Sequence, residues 1–261
     1  MKLNCDCGGT GPTLVLMHGI GSEWHAWAPV LPRLRRERDV IALDLPGFGQ
    51  SAPLPGGTAS TASALADAVA AFFDDRGIAR AHLAGNSLGG WVALELARRR
   101  RALSVTLISP GGFWNEAERR YATFTLWATR VLGRRLGPVA PMVLSRPLGR
   151  TLFLWHVVGR PWRMPAEAAL EAARAFAAAP GFDATLAAAS RPGARFRPGR
   201  AIECPITIAW GDHDRLLPPW QARRAAAALP GARVVRLHGC GHTPMWDDPE
   251  AVATVLLAGS T

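Results

Sequence analysis

The stretch Ala81 to Leu94 reads AHLAGNSLGGWVAL: a short apolar run, the turn Gly85-Asn86-Ser87-Leu88-Gly89, then a segment that favours a helix. A serine on a sharp strand-to-helix turn needs the smallest residues two positions to either side, because a Cβ there collides with neighbouring backbone. Gly85 and Gly89 meet that need. The turn also sets Ser87 at a helix N-terminus, whose free N–H groups favour developing negative charge. Ser87 is therefore a candidate nucleophile. The competing reading, a glycine-rich turn with an incidental serine, accounts for the glycines but not for the strand-turn-helix setting.

Working outward, Thr13–Met17 reads TLVLM before His18-Gly19, and Val40–Leu43 reads VIAL before Asp44. His82–Ala84, Val105–Ile108 and Ile206–Trp210 repeat the pattern, and Arg233–Leu237 is a sixth candidate strand. Continuous apolar runs mark parallel strands buried on both faces. Helical segments at Thr61–Phe73, Leu88–Arg99 and Trp220–Leu229 alternate with them, which predicts an α/β fold with a doubly wound, mostly parallel sheet flanked by helices. Ligands of such sheets bind beyond the carboxyl ends of the strands. Between 112 and 200 the alternation stops, and helices are predicted over Glu116–Leu132 and Pro165–Ala178. The reading is a core of residues 1–111 and 201–261 with a helical insertion, 112–200, after the strand ending near Ser109.

A serine hydroxyl needs a base. Ile206–Trp210 runs into Gly211-Asp212-His213-Asp214, and Arg233–Leu237 into Gly239-Cys240-Gly241-His242. An acid after one strand and a histidine after the next give the order Ser, Asp, His, with His242 as the candidate base.

At this point the chain resembles the α/β-hydrolase superfamily over nearly its whole length. The resemblance is carried by His18-Gly19-Ile20-Gly21, Asp44-Leu45-Pro46-Gly47-Phe48-Gly49-Gln50-Ser51, Gly85-Asn86-Ser87-Leu88-Gly89-Gly90, Trp210-Gly211-Asp212-His213-Asp214 and Gly241-His242. It implies a catalytic Ser87, Asp214 and His242, with Asp212 as the second choice of acid, and an oxyanion hole made by the backbone N–H groups of Ile20 and Leu88. It implies a loop-ordering role for His18, a structural loop at Asp44–Ser51, and an insertion that acts as a cap over the pocket. Similar proteins open with a two-strand hairpin, whereas only Leu3–Cys7 and the Gly8–Pro12 turn precede TLVLM here, so the first strand is expected to be absent or to lie upstream.

The function implied is a cofactor-independent serine hydrolase that cleaves an ester-like carbonyl bond through an acyl-Ser87 intermediate. Gly-Asn-Ser-Leu-Gly-Gly is also similar to the nucleophile motif of meta-cleavage carbon-carbon bond hydrolases, which act on vinylogous diketo acids. A third reading is a ligand- or carrier-binding protein with little turnover. No His/Asp/Glu cluster has metal-ligand spacing, and Cys5, Cys7, Cys204 and Cys240 form no CxxC pair, so neither metal nor cofactor is expected.

The net charge of +10 is concentrated. Residues 112–200 hold 14 arginines against 5 acids, while the remaining 16 basic and 15 acidic residues nearly cancel. With no nucleic-acid motif, this does not read as a nucleic-acid footprint. It suits a solvated face, an anionic substrate group, or an acidic partner or membrane surface. The same segment carries Phe113, Trp114, Tyr121, Phe124, Trp127, Phe153, Trp155, Trp162, Phe176 and Phe182. Most are expected to bury the insertion against the core and a few to line the pocket, which points to a small apolar or aromatic substrate, one that can be anionic. The chain lacks an apolar run long enough for a transmembrane helix, and its first residues lack a secretory signal pattern, so the expected location is the cytoplasm.

Overall fold

The computed structural model describes residues 2–197, 199 and 202–261. The expected boundary between 200 and 201 falls outside the described residues. Strands β1 (Cys5–Gly8), β2 (Thr13–Met17), β3 (Asp39–Leu43), β4 (Ala81–Asn86), β5 (Ala102–Ile108), β6 (Ile206–Gly211) and β7 (Arg233–Leu237) form one seven-stranded sheet in the order β1-β3-β2-β4-β5-β6-β7. All neighbours are parallel except β1 and β3. Among the described residues one strand, not the usual two, precedes β2. A four-residue edge strand pairs antiparallel with β3, Cys5 opposite Leu43.

Helices α1 (Leu31–Leu34), α2 (Ala62–Asp75) and α3 (Leu88–Arg98) connect the early strands. Helices α4 (Glu116–Leu136), α5 (Ala140–Leu144), α6 (Pro147–Leu154), α7 (Ala166–Ala178) and α8 (Phe182–Ser190) all lie between β5 and β6. Helices α9 (Gln221–Ala228) and α10 (Pro249–Ala258) follow β6 and β7. Because strand side chains alternate, each strand feeds two cores. Leu14, Leu16, Val40 and Ala42 pack with α1 and α10, whereas Val15, Met17, Ile41 and Leu43 pack with α2, α3 and α9. Both faces of the inner strands β2–β6 are buried, which is why these read as apolar runs, whereas the edge strands β1 and β7 are partly exposed.

The turn between β4 and α3 tolerates no added carbon. A Cβ on Gly85 would strike the backbone of Gly89, and one on Gly89 would strike the carbonyl of Met17 on the neighbouring strand. Gly89→Ala should lower stability by about 3 kcal/mol through forced strand displacement. Gly56→Ala, which meets nothing within 4 Å, should leave it unchanged. Urea unfolding midpoints of the two variants check this.

The helical insertion has a small core of its own around Leu144, Leu154, Val158, Met164 and Ala169. Three of its arginines are buried at helix ends rather than solvated. Arg130 donates to the carbonyls of Phe176 and Ala179 at the end of α7, Arg150 to those of Leu144 and Ser145 at the end of α5, and Arg119 to that of Ser190 at the end of α8. Each supplies donors to terminal carbonyls that have no partner within their helix and places positive charge at the negative end of the dipole. The aromatic residues depart from expectation. Phe113 and Phe182 are buried, but Tyr121, Phe124, Trp127, Trp155 and Trp162 are exposed. They sit on outward helix faces, because the faces turned toward the sheet and the neighbouring helices are occupied by small and aliphatic side chains such as Ala122, Leu126 and Leu154.

Candidate active site

The sheet order reverses around β2, so the loops after β2 and β4 lie side by side at the switch point where open α/β sheets take their ligands. Ser87 sits there with φ +54° and ψ −114°, a conformation disfavoured for a residue with a Cβ. Such strain costs about 1–3 kcal/mol and persists only where the surroundings enforce it. Here they do. The Ser87 N–H donates to the Ile108 carbonyl at 3.0 Å, and its own carbonyl accepts from Gly111 N at 2.9 Å and Trp91 N at 3.3 Å.

The loop after β2 packs directly on this turn: a Cβ on Gly19 would lie 3.2 Å from Ser87 Cβ. His18 holds the loop. Its Nε2 accepts from Leu45 N at 2.9 Å, so its Nδ1 carries the proton and donates to the Gly19 carbonyl at 2.7 Å. Complete burial pushes its pKa down and keeps the ring neutral. Asp44 anchors the next loop by accepting from Asn4 Nδ2, Trp24 N and Gln50 N at 2.7–2.9 Å. Among the described residues, the backbone N–H groups of Ile20 and Leu88 donate to no carbonyl.

His242 and Asp214 arrive on the loops after β7 and β6, both buried. Asp214 Oδ2 accepts from His242 Nδ1 at 2.8 Å, while its Oδ1 accepts from Leu216 N at 3.0 Å and Leu217 N at 2.8 Å. The proton on Nδ1 leaves Nε2 of His242 free to act as a base. Asp212 does not touch His242. It accepts from Gly239 N at 2.7 Å and faces Arg236 and His238 at the rim. Ser87 and His242 make no direct hydrogen bond but line the same cavity; such contacts commonly tighten only around a bound substrate.

Three residues that position this site escaped the sequence reading. Asn86 donates from Nδ2 to the carbonyls of Ile108 and His242, at 3.0 and 2.9 Å, tying the histidine loop to β4. Asp247 accepts from Gly159, Arg160 and Gly241 N–H groups at 2.7–2.9 Å, pinning the insertion to the same loop. His156 is buried within the cavity wall, its Nε2 3.2 Å from Thr129 Oγ1. That hydroxyl gives its proton to the Thr125 carbonyl at 2.8 Å, so His156 Nε2 is the donor. Burial and the neighbouring His242 push its pKa down to about 4. Asn86 stood in plain view as the variable position of the serine motif; the others carry no local sequence signal.

Two cavities meet at Ser87, Ile20, Leu126 and Leu216. One, of about 160 Å³, is walled by His242, His156, Phe153, Phe176 and Trp246. The other, of about 350 Å³, runs past Leu88, Trp91 and Trp114 toward the exposed Arg191 and Arg195. Their size suits a small molecule. Of the aromatic residues in the insertion, Trp114, Phe153 and Phe176 line them.

A model of the alpha/beta hydrolase family matches residues 14–255. The chain belongs to the alpha/beta hydrolase family. The chain is 33% identical over 245 residues to the dihydrolipoyllysine-residue acetyltransferase component of the acetoin cleaving system of Cupriavidus necator, covering 90% of the chain but only 60% of that relative. It is 30% identical over 203 residues to an epoxide hydrolase of Mycobacterium tuberculosis, covering 75% of the chain and 93% of the relative. Its fold matches a thermophilic esterase from Thermogutta terrifontis with a TM-score of 0.77, at 24% identity and with 99% and 94% of the two chains covered.

Proposed function

We propose that this alpha/beta hydrolase cleaves an ester-like carbonyl bond through an acyl-Ser87 intermediate. The observation that carries the reading is the Asp214-held His242 opening on the cavity walled by the strained Ser87 turn. His242 Nε2 takes the Ser87 proton as Oγ attacks the carbonyl carbon, and the Ile20 and Leu88 N–H groups receive the oxyanion. The imidazolium then returns the proton to the leaving oxygen. Water, deprotonated by the same nitrogen, releases the acid and restores Ser87.

Since His242 must protonate the leaving group, that group occupies the cavity walled by His242, and the acyl group lies along Leu88, Trp91 and Trp114. The apolar linings favour an apolar or aromatic substrate, and residues 112–200 serve as the cap over it. Arg191 and Arg195 suit an acyl tail that ends in an anion, which is also what favours the second reading, carbon-carbon cleavage of a vinylogous diketo acid.

Epoxide opening is disfavoured on chemical grounds. A serine attacking an epoxide forms an ether, with no carbonyl for water to attack. The test is fluorophosphonate labelling with the modified peptide mapped, followed by a panel of aryl esters, lactones, epoxides and diketo acids. Ester or lactone turnover with the label on Ser87 is expected. Labelling elsewhere, or epoxide turnover alone, overturns the reading, and labelling without any turnover returns the protein to a binding role.

A further inference from the structure

Of the 13 large apolar side chains that the described residues leave exposed, ten lie in the helical insertion. Single exposed hydrophobics are ordinary; these are clustered. Leu148 and Leu152 on α6, with Trp155 at its C-terminal cap, recur at i, i+4 and i+7 on one helix face and are 69, 70 and 46% exposed. On α4, Phe124 and Trp127 are 64 and 52% exposed, with ring centroids 5.7 Å apart. His156, just past α6, reaches Thr129 on α4, and Phe153 packs near Gly133, so α6 rests on α4 with its leucine face turned away from that contact, while Phe124 and Trp127 lie on the far side of α4. Arg146 at the start of α6 and Arg163, beside Trp162 in the turn packed on α6, are exposed next to the α6 face.

Charge selects among the possible occupants of this face. A second copy would bring two segments together that each carry 14 arginines against 5 acids, so self-association is opposed and an anionic surface is favoured. We propose that this face of the insertion lies on the surface of an anionic lipid bilayer, its leucine and tryptophan side chains entering the headgroup boundary and its arginines facing lipid phosphates. No helix among the described residues is long and apolar enough to cross a membrane, so the contact is interfacial. Helix α6 then has lipid on one side and, through Phe153 and Leu154, the cavity walled by His242 on the other. The inference is independent of the chemistry assigned to Ser87.

The test is co-sedimentation of the full chain with vesicles of phosphatidylcholine alone and with added phosphatidylglycerol. Binding to the anionic vesicles is expected, at least about tenfold tighter than to the neutral ones. Leu148→Gln/Leu152→Gln and Arg146→Glu/Arg163→Glu should each weaken it by about tenfold or more without lowering the melting temperature, and Ser87→Ala should bind as the unmodified chain does. Three results overturn the proposal: no sedimentation with anionic vesicles at low salt; binding indifferent to the leucine pair, which is electrostatic adsorption only; or a dimer in sedimentation equilibrium that the leucine pair converts to monomer, which assigns the face to a second copy.

Discussion

Ser87→Ala should reduce turnover of the best ester or lactone substrate by a factor of about 10⁶ and abolish fluorophosphonate labelling. The loss is this large because the other parts of the site act only through the nucleophile. Orphan N–H groups at Ile20 and Leu88 and the cavity walls retain some activity over water, but no covalent step remains. Stability separates this chemical effect from a structural one. Alanine keeps the side chain that makes φ +54° costly, so its melting temperature should match that of the unmodified chain. Ser87→Gly should instead melt a few degrees higher, by relief of about 1 kcal/mol or more of backbone strain, while being equally inactive. Retained turnover and labelling in Ser87→Ala would remove the nucleophile from the scheme.

Asp214→Asn should lower kcat by about 10⁴ with the fold intact. The reason lies in the hydrogen bonds. Asp214 Oδ1 accepts from two backbone N–H groups, so an asparagine there keeps its carbonyl oxygen in that position and turns its NH₂ toward His242. The ring must then accept at Nδ1 and carry its proton on Nε2, where it cannot act as a base. Asp212→Asn should change kcat by less than about threefold, since Asp212 contacts Gly239, Arg236 and His238 and not His242. Steady-state kinetics of the two variants, with circular dichroism to verify folding, decide the matter. An equal loss in both would contradict the assignment of the acid.

The contrast between these two aspartates shows where sequence reading stops. Both follow the same strand, two residues apart, and both are acidic. Local pattern alone left the pair open, and the preference for Asp214 came from a family resemblance. What separates them is the course of the loop after β7, which brings His242 to Asp214 Oδ2 and leaves Asp212 at the rim. The arginines divide in the same way. Arg130 and Arg150 are chemically identical to Arg135 and Arg146, yet the first two are buried against helix-end carbonyls and the last two are in water.

By itself the sequence determined the strand-helix alternation, the insertion after β5, and the serine turn with its acid and histidine in order along the chain. These depend on short-range causes: side-chain period, the room that only glycine leaves around Ser87, and the positions of loops at strand ends. Tertiary structure alone decided that His156, Asn86 and Asp247 support the site, that a single edge strand precedes β2, and that half the aromatic residues of the insertion face outward. Those outcomes depend on which surfaces meet across long sequence separations. A helical period reveals that a helix has two faces, but only packing determines which of them is left to solvent.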